Sequence, residues 1–236
     1  MELSVHPCPY LPDRESRAFL ILDSGSPEEL DIRLSQGWRR AGFYFYRYHC
    51  QGCSLCIPLR LAAAHPLESQ KRRKRLASKN KDIAIVQQPR AVKEEWIDLL
   101  SRYNERRHDS PANETEEMLQ SFLTSPNALP LEYRDGTGKL VGLSFLDRGI
   151  HSLSSVYFAF APEEAWRSLG TYSVFREAEA TKSWGLSFYY LGLWVPGSVK
   201  MDYKANFHPF EILTPRGEWQ GFGHRGEGPF SGGLCR

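Results

Sequence analysis

Apolar positions along the chain switch between two rhythms, and the switches mark its elements. Over residues 91–108 the apolar set Trp96, Leu99, Leu100 and Tyr103 keeps the three-and-four spacing of one helix face. Arg106, Arg107 and His108 close that stretch, where positive charge suits the carbonyl end of a helix. The spacing predicts a second helix over 114–123, after the loop DSPAN. Upstream, SPEELDIRLSQGW opens with a capping hydroxyl at Ser26, Pro27 in the first turn and Glu29 three residues past the cap. That helix should run to Gln36 and stop at Gly37. Residues 67–80 combine helix formers with a basic run, and SLGTYSVFREAEATKSW predicts the last helix.

The other apolar runs are short and bounded by turn residues. Phe19 to Leu22, IPLRLAA and DIAIVQQP predict short strands, the last ended by Pro89. GWRRAGFYFYRYHC predicts an aromatic strand or hairpin. LPLEYR and KLVGLSFL flank the turn DGTG and predict a hairpin. SLSSVYFAF, LSFYYLGLWV and PFEIL predict three more strands, with a turn and a short helical stretch in PGSVKMDYKANF. Residues 1–15 hold Pro7, Pro9 and Pro12 and should not be helical. Helices crossing between strands imply a sheet covered on at least one face. The expected class is α+β with a cysteine-rich N-terminal domain. A division is expected near residue 90, and the glycine- and proline-rich tail 216–236 is expected to be loose.

Composition adds little to this frame, and charge adds one feature. Of 236 residues, 41% are apolar and 13% aromatic, which fits a folded chain and excludes a mostly disordered one. Net charge is only +2, yet KRRKRLASKNKD (residues 71–82) sets seven basic side chains against the single acid Asp82. Such a run suits phosphate contact or a solvated helix face. No basic-then-apolar leader and no apolar run of membrane-spanning length is present, so a cytoplasmic protein without membrane partners is expected, as a monomer.

Candidate chemistry starts with HCQGCSLC. Cys50, Cys53 and Cys56 are spaced so that their thiolates could share one ion, and Cys8, held between prolines, is the best fourth ligand; His49 and His6 are weaker ones. Zinc and an iron–sulfur cluster both suit thiolates, and buried apolar cysteines are the plain alternative. Cys235, in the tail, is given no role. Arg167, Ser168 and Gly170 stand where a strand gives way to a helix, a place for a phosphate or simply a capped helix. Ser154, Ser155, Tyr157, Tyr189, Tyr190 and Trp194 mix hydroxyls and rings near strand ends, as core or as a base- or side-chain-binding pocket. Lys200 and Lys204 follow, four apart.

Read in order, the motifs resemble those of the aminoacyl-tRNA–protein transferases of the arginyltransferase type, and among them the bacterial aspartate/glutamate leucyltransferases. They are CPYLPDR, GWRRAG, CQGCSLCIPLR, the basic segment, RYNERRH, EYR, LSSVYF, RSLGTY, YYLGLWV and KMDYKANFHPFE. The resemblance spans residues 6–215. It implies a C-terminal domain over 91–215 with the fold of GCN5-related acetyltransferases, a mixed and mainly antiparallel sheet, after a basic cysteine-rich domain over 1–90. It implies transfer of an amino acid from charged tRNA to proteins that begin with Asp or Glu, marking them for degradation, with no organic cofactor. On that reading Arg39, Arg40, Arg107 and His108 would hold the acidic acceptor. Lys71, Arg72, Arg73, Lys74, Arg75, Arg167, Ser168, Gly170, Lys200 and Lys204 would hold tRNA. Tyr190, Trp194 and Tyr203 would line the donor pocket, and Ser155 and Tyr157 would support the oxyanion. Leucine is the expected donor and arginine the alternative. The motif order also leaves an acetyl-CoA-dependent N-acetyltransferase and a non-enzymatic zinc-ribbon RNA-binding protein as other readings. No general base is named by the sequence.

Overall fold

The computed structural model describes residues 2–12, 14–65, 67, 70–108 and 114–223, without the side chains of Arg107 and His108. Twelve strands and five α-helices are found among them. Strands β1 (Glu2–Pro7), β2 (Glu15–Leu22), β3 (Arg39–Ala41) and β4 (Tyr44–Tyr48) form an antiparallel sheet in the order β1-β2-β4-β3. Helix α1 (Pro27–Ser35) lies between β2 and β3; Ser26 Oγ accepts from the Glu29 amide at 3.2 Å, and Gly37, at φ +83°, turns the chain out of it. The start is the predicted one, and the helix ends at Ser35 with Gln36 as its cap, one residue short of the expected end.

The second sheet has eight strands. These are β5 (Ile57–Ala62), β6 (Ala84–Gln87), β7 (Ala128–Arg134), β8 (Leu140–Arg148), β9 (Ser152–Phe160), β10 (Phe188–Trp194), β11 (Phe210–Leu213) and β12 (Trp219–Phe222), in the order β12-β11-β5-β10-β9-β8-β7-β6. Every pairing is antiparallel except β9 with β10. The chain is thus α+β with a mixed, mainly antiparallel sheet. β5 and β6 come from before residue 90, so this sheet draws on both sides of the expected division. β12 forms inside the stretch expected to be loose. Its Trp219 and Phe222 have cross-strand partners in Leu213 and Phe210, a tertiary pairing that outweighs the poor strand propensity of the surrounding glycines. Residues 224–236, with Cys235, lie outside the described residues.

Helices α2 (Gln70–Lys79) and α5 (Leu169–Ser183) join one core: Leu76, Leu169 and Phe175 pack with Tyr189 and Leu191. Helices α3 (Glu94–His108) and α4 (Thr115–Leu123) join a second, in which Trp96, Leu99, Leu100 and Leu119 cover Leu143 and Phe145. Glu132 on β7 pins α3, accepting from Trp96 Nε1 and Lys93 Nζ, each at 2.7 Å. A third cluster joins Leu30 and Leu34 of α1 to Trp38, Phe45 and Tyr190. Tyr189 and Tyr190 are consecutive on β10 and so point to opposite faces, which puts α5 and α1 on opposite sides of that strand. Among the described residues no helix is long and apolar enough to cross a membrane.

Candidate functional site

The parallel pair β9–β10 stays together only from Ser152–Ser154 against Phe188–Tyr190. Both strands then break register with their outer neighbours. The shift between Phe145 and Leu146 on β8 leaves Val156 of β9 without a ladder partner, and the shift beyond Tyr190 does the same for Leu191 of β10. Bulges at matching depths bend the two strands and open the sheet between them.

Two cations fill this opening. Arg39, carried in by β3, donates through Nη1 to Ser154 Oγ at 3.0 Å and through Nη2 to the Ser155 carbonyl. Lys204, in the 3₁₀ turn Asp202–Asn206, donates to the Leu193 carbonyl at 3.0 Å. Gly192, at φ +91°, lets them meet: a Cβ there would lie 3.2 Å from Arg39 Nη2 and 3.3 Å from Lys204 Nζ. Both side chains are buried, and neither makes an ion pair with a carboxylate among the described residues. Burial and the adjacent Arg39 guanidinium push the Lys204 ammonium down to about 7. Two buried like charges without a counter-ion are costly, and an arriving anion would relieve that cost.

A polar network supports the opening from the α5 side. Glu177 accepts from Ser144 Oγ at 2.7 Å, from the Tyr133 hydroxyl at 3.1 Å and from the Tyr189 hydroxyl. The Tyr189 hydroxyl in turn interacts with the Ser155 side chain. Complete burial pushes the Glu177 carboxyl up to about 7 against the lowering effect of these donors. Ser173, Glu177 and Thr181 recur every four residues and are all buried, a polar stripe on an inward helix face that the sequence displays and that sequence reasoning missed.

Several expected site residues are committed elsewhere. Arg40 forms a buried bidentate pair with Asp147, at 2.7 and 2.8 Å, and donates to the carbonyls of Gly42, Ser121 and Phe122; it ties β3 to β8 and α4 and cannot clamp an acceptor. Arg167 binds both Asp82 oxygens at 2.8 Å and Glu164 at 2.8 Å, so its fork is filled by protein carboxylates and not by phosphate. The signal for that was Asp82, the one acid closing the basic run. Ser168 is exposed, adopts a left-handed conformation at φ 57° and makes no side-chain cap; Gly170 follows in the first turn of α5. Lys204 is not on the surface as expected of a tRNA contact, while Lys200 is exposed.

The expected donor pocket does not assemble. Tyr190 faces the α1 cluster, and its hydroxyl accepts from Arg60 at 3.1 Å. Trp194 packs in the α5 core and donates to Asp202 at 3.0 Å, and Tyr203 stands half-exposed beside Phe207. Tyr157 donates to Asn104 Oδ1 at 2.9 Å, which anchors the β9 bulge to α3. On α2, Lys71, Lys74 and Arg75 are exposed, Arg72 lies near the Phe207 ring and Arg73 is 3.8 Å from Glu179. The side chains of Arg107 and His108 lie outside the described set.

Cys8, Cys50, Cys53 and Cys56 line one small cavity. Burial, with the three other thiols nearby, pushes Cys56 up to about 12. Among the described residues no three His, Cys, Asp or Glu side chains form a metal-binding group, so the four thiols share a cavity without converging.

Comparison with known proteins locates the chain. The family description "Arginine-tRNA-protein transferase, N terminus" matches residues 6–75, and its C-terminal counterpart matches residues 95–214. The chain is 35% identical over 221 residues to the aspartate/glutamate leucyltransferase of Teredinibacter turnerae, covering 88% of each protein. It is 34% identical over 216 residues to that of Pseudomonas fluorescens, covering 89% of this chain and 91% of the relative. Among solved structures, FemX aligns with a TM-score of 0.49 at 10% identity, over 73% of this chain and 61% of FemX.

Proposed function

The chain belongs to the arginine-tRNA–protein transferase family, and from that premise we propose that it moves leucine from leucyl-tRNA to the α-amine of proteins beginning with Asp or Glu. It is an aminoacyltransferase. The observation that carries the choice of acceptor is the buried Arg39–Lys204 pair, which has no carboxylate partner among the described residues and sits where β9 and β10 separate. A substrate carboxylate on Arg39 supplies the missing counter-charge, and the guanidinium fork suits it.

The chemistry follows from placement. The acceptor amine attacks the ester carbonyl of the charged tRNA, the oxyanion forms and collapses, and the tRNA 3′-oxygen leaves. The ester is already activated, so orientation supplies much of the rate. Backbone N–H groups at the Ser155–Tyr157 bulge would be the donors to the developing oxyanion. Lys204, whose ammonium is brought down to about 7, in its neutral form takes the proton released by the attacking amine and returns it to the departing 3′-oxygen. The exposed cations of α2 with Lys200 hold the tRNA. The modified protein is marked for degradation, and the reaction belongs in the cytoplasm, where its charged tRNA is made.

The cysteine cavity offers a donor set that suits zinc or an iron–sulfur cluster. Cys8, Cys50, Cys53 and Cys56 would hold it by turning their thiols inward, and a cation there would offset the burial and thiol repulsion that raise Cys56. Its contribution would be to tie the 49–56 loop to the end of β1. Metal and sulfide analysis of the purified protein tests this.

Peptides beginning with Asp, Glu, Arg and Ala, each given tRNA charged with labelled leucine or labelled arginine, test the main proposal. Label from leucyl-tRNA on the Asp and Glu peptides alone is expected. Label from arginyl-tRNA alone would assign arginine as donor, and label from neither would overturn the proposal.

A further inference from the structure

A groove of about 1320 Å³ opens beside Arg39, between hairpin β3–β4 with the cysteine loop on one side and strands β11–β12 on the other. Arg14, Arg39, Arg47 and His49 line it, and no Asp or Glu is among its described lining residues. Arg14 and Arg47 are exposed. The chain as a whole has 28 acidic side chains against 30 basic ones, so a cleft of this size lined by one sign is a local arrangement and not a reflection of net charge. Low-dielectric walls around like charges focus the potential on whatever enters.

Two polymers in this reaction carry negative charge, the tRNA and an acidic polypeptide. The groove favours the polypeptide on two counts. One wall is β12, the edge strand of the eight-stranded sheet, which has no strand on its outer side among the described residues. The basic helix α2 packs with α5, and α5 lies on the opposite side of β10 from α1, whose C-terminal end at Ser35 borders the groove. Phosphate contact and groove are thereby assigned to different faces, with the Arg39–Lys204 pair between them.

We infer that this groove receives the residues that follow the acidic N-terminus of the acceptor protein and selects acidic side chains among them. The inference rests on the proposal that Arg39 holds the first residue's carboxylate. It extends recognition from one residue to a segment: a protein with Asp first and acids behind it is a better substrate than one with Asp first and lysines behind it.

Leucine transfer to Asp-led octapeptides with Glu or with Lys at the third and fifth positions, and to the short acceptor Asp-Ala-amide, tests this. The Glu peptide should show a KM about 5- to 10-fold below the Lys peptide at low salt. Arg14→Glu and Arg47→Glu, made separately, should each narrow or reverse that ratio while leaving KM for Asp-Ala-amide within about twofold, since rim charges act on charged partners within a Debye length. Equal KM values for the two octapeptides in the wild-type protein, with transfer intact, would overturn the groove and leave the transferase proposal standing. A rise in KM for leucyl-tRNA in either variant, with the octapeptide ratio unchanged, would assign the groove to RNA and likewise overturn it. Absence of transfer to every acceptor would remove both.

Discussion

At the scale of single residues the site depends on Gly192 and Lys204. Gly192 combines a positive φ with a close approach to both cations, so replacing it by Ala adds backbone strain and pushes the pair apart. Gly192→Ala should cost roughly 1–2 kcal/mol of stability by denaturant titration, and acceptor KM should rise in the protein that remains folded. Lys204 sets the pH dependence. Its neutral form is the proposed base, so kcat should rise with pH and level off above an inflection at about 7 or somewhat higher, since the bound acceptor carboxylate favours the ammonium. Lys204→Met should lose that limb together with most of kcat; an unchanged pH profile would exclude Lys204 as the base. Arg39 and Arg40 stand side by side in GWRRAG as expected acceptor ligands, and the sequence offers no means of separating them. The two point to opposite faces of β3, one into the β9–β10 opening and the other onto Asp147. Lys204 read as a surface tRNA contact because a four-residue spacing from Lys200 says nothing about burial.

Among the elements, those with local signals were legible. The cap at Ser26, the stop at Gly37 and the DGTG turn, where Asp135 Oδ1 accepts from the Thr137 and Lys139 amides, are short-range features that a window of residues contains. The placement of β5 between β10 and β11 is not of that kind, because it depends on partners more than a hundred residues away. The same holds for β12. Helix α5 carries a second kind of hidden information, since among the described residues its buried Glu177 pairs with no cation and is held by hydroxyls. Its folded value of about 7 lies above the ordinary 4.5, so the folded protein binds the extra proton between those values. The carboxyl therefore contributes stability that is complete below about pH 4.5 and is lost as pH rises through about 7. Glu177→Gln should flatten the fall in Tm over that window and leave the variant the more stable protein above pH 7, by an amount on the order of 3 kcal/mol. A Tm that falls equally in both proteins would locate the pH dependence elsewhere.

For the whole molecule the arrangement is one of charge held in separate places around a sheet opening. A net charge of +2 conceals it, because acids sit in structural pairs such as Arg40–Asp147, Arg60–Glu211 and Arg167–Asp82, while Arg39, Lys204 and the exposed lysines of α2 have no such partners among the described residues. Helix α2 is fixed by its one buried residue, Leu76, which turns Lys71, Lys74 and Arg75 to solvent. Its contact between Arg73 and Glu179, at 3.8 Å and well exposed, is worth about 0–1 kcal/mol and would yield to a phosphate. If these cations hold the tRNA, they act through released counter-ions, and their contribution must fall with salt. The logarithm of KM for leucyl-tRNA should then rise linearly with the logarithm of salt concentration. The triple variant Lys71→Glu, Lys74→Glu, Arg75→Glu should raise that KM about 10- to 100-fold at low salt and reduce the slope by about 2–3, the share of three phosphate contacts. KM for Asp-Ala-amide should not move, because Arg39 is carried by a different helix–sheet layer and keeps its bonds to β9. A slope that survives the triple variant would transfer the tRNA to another surface, with Lys200 and the start of α5 as the next positions to reverse.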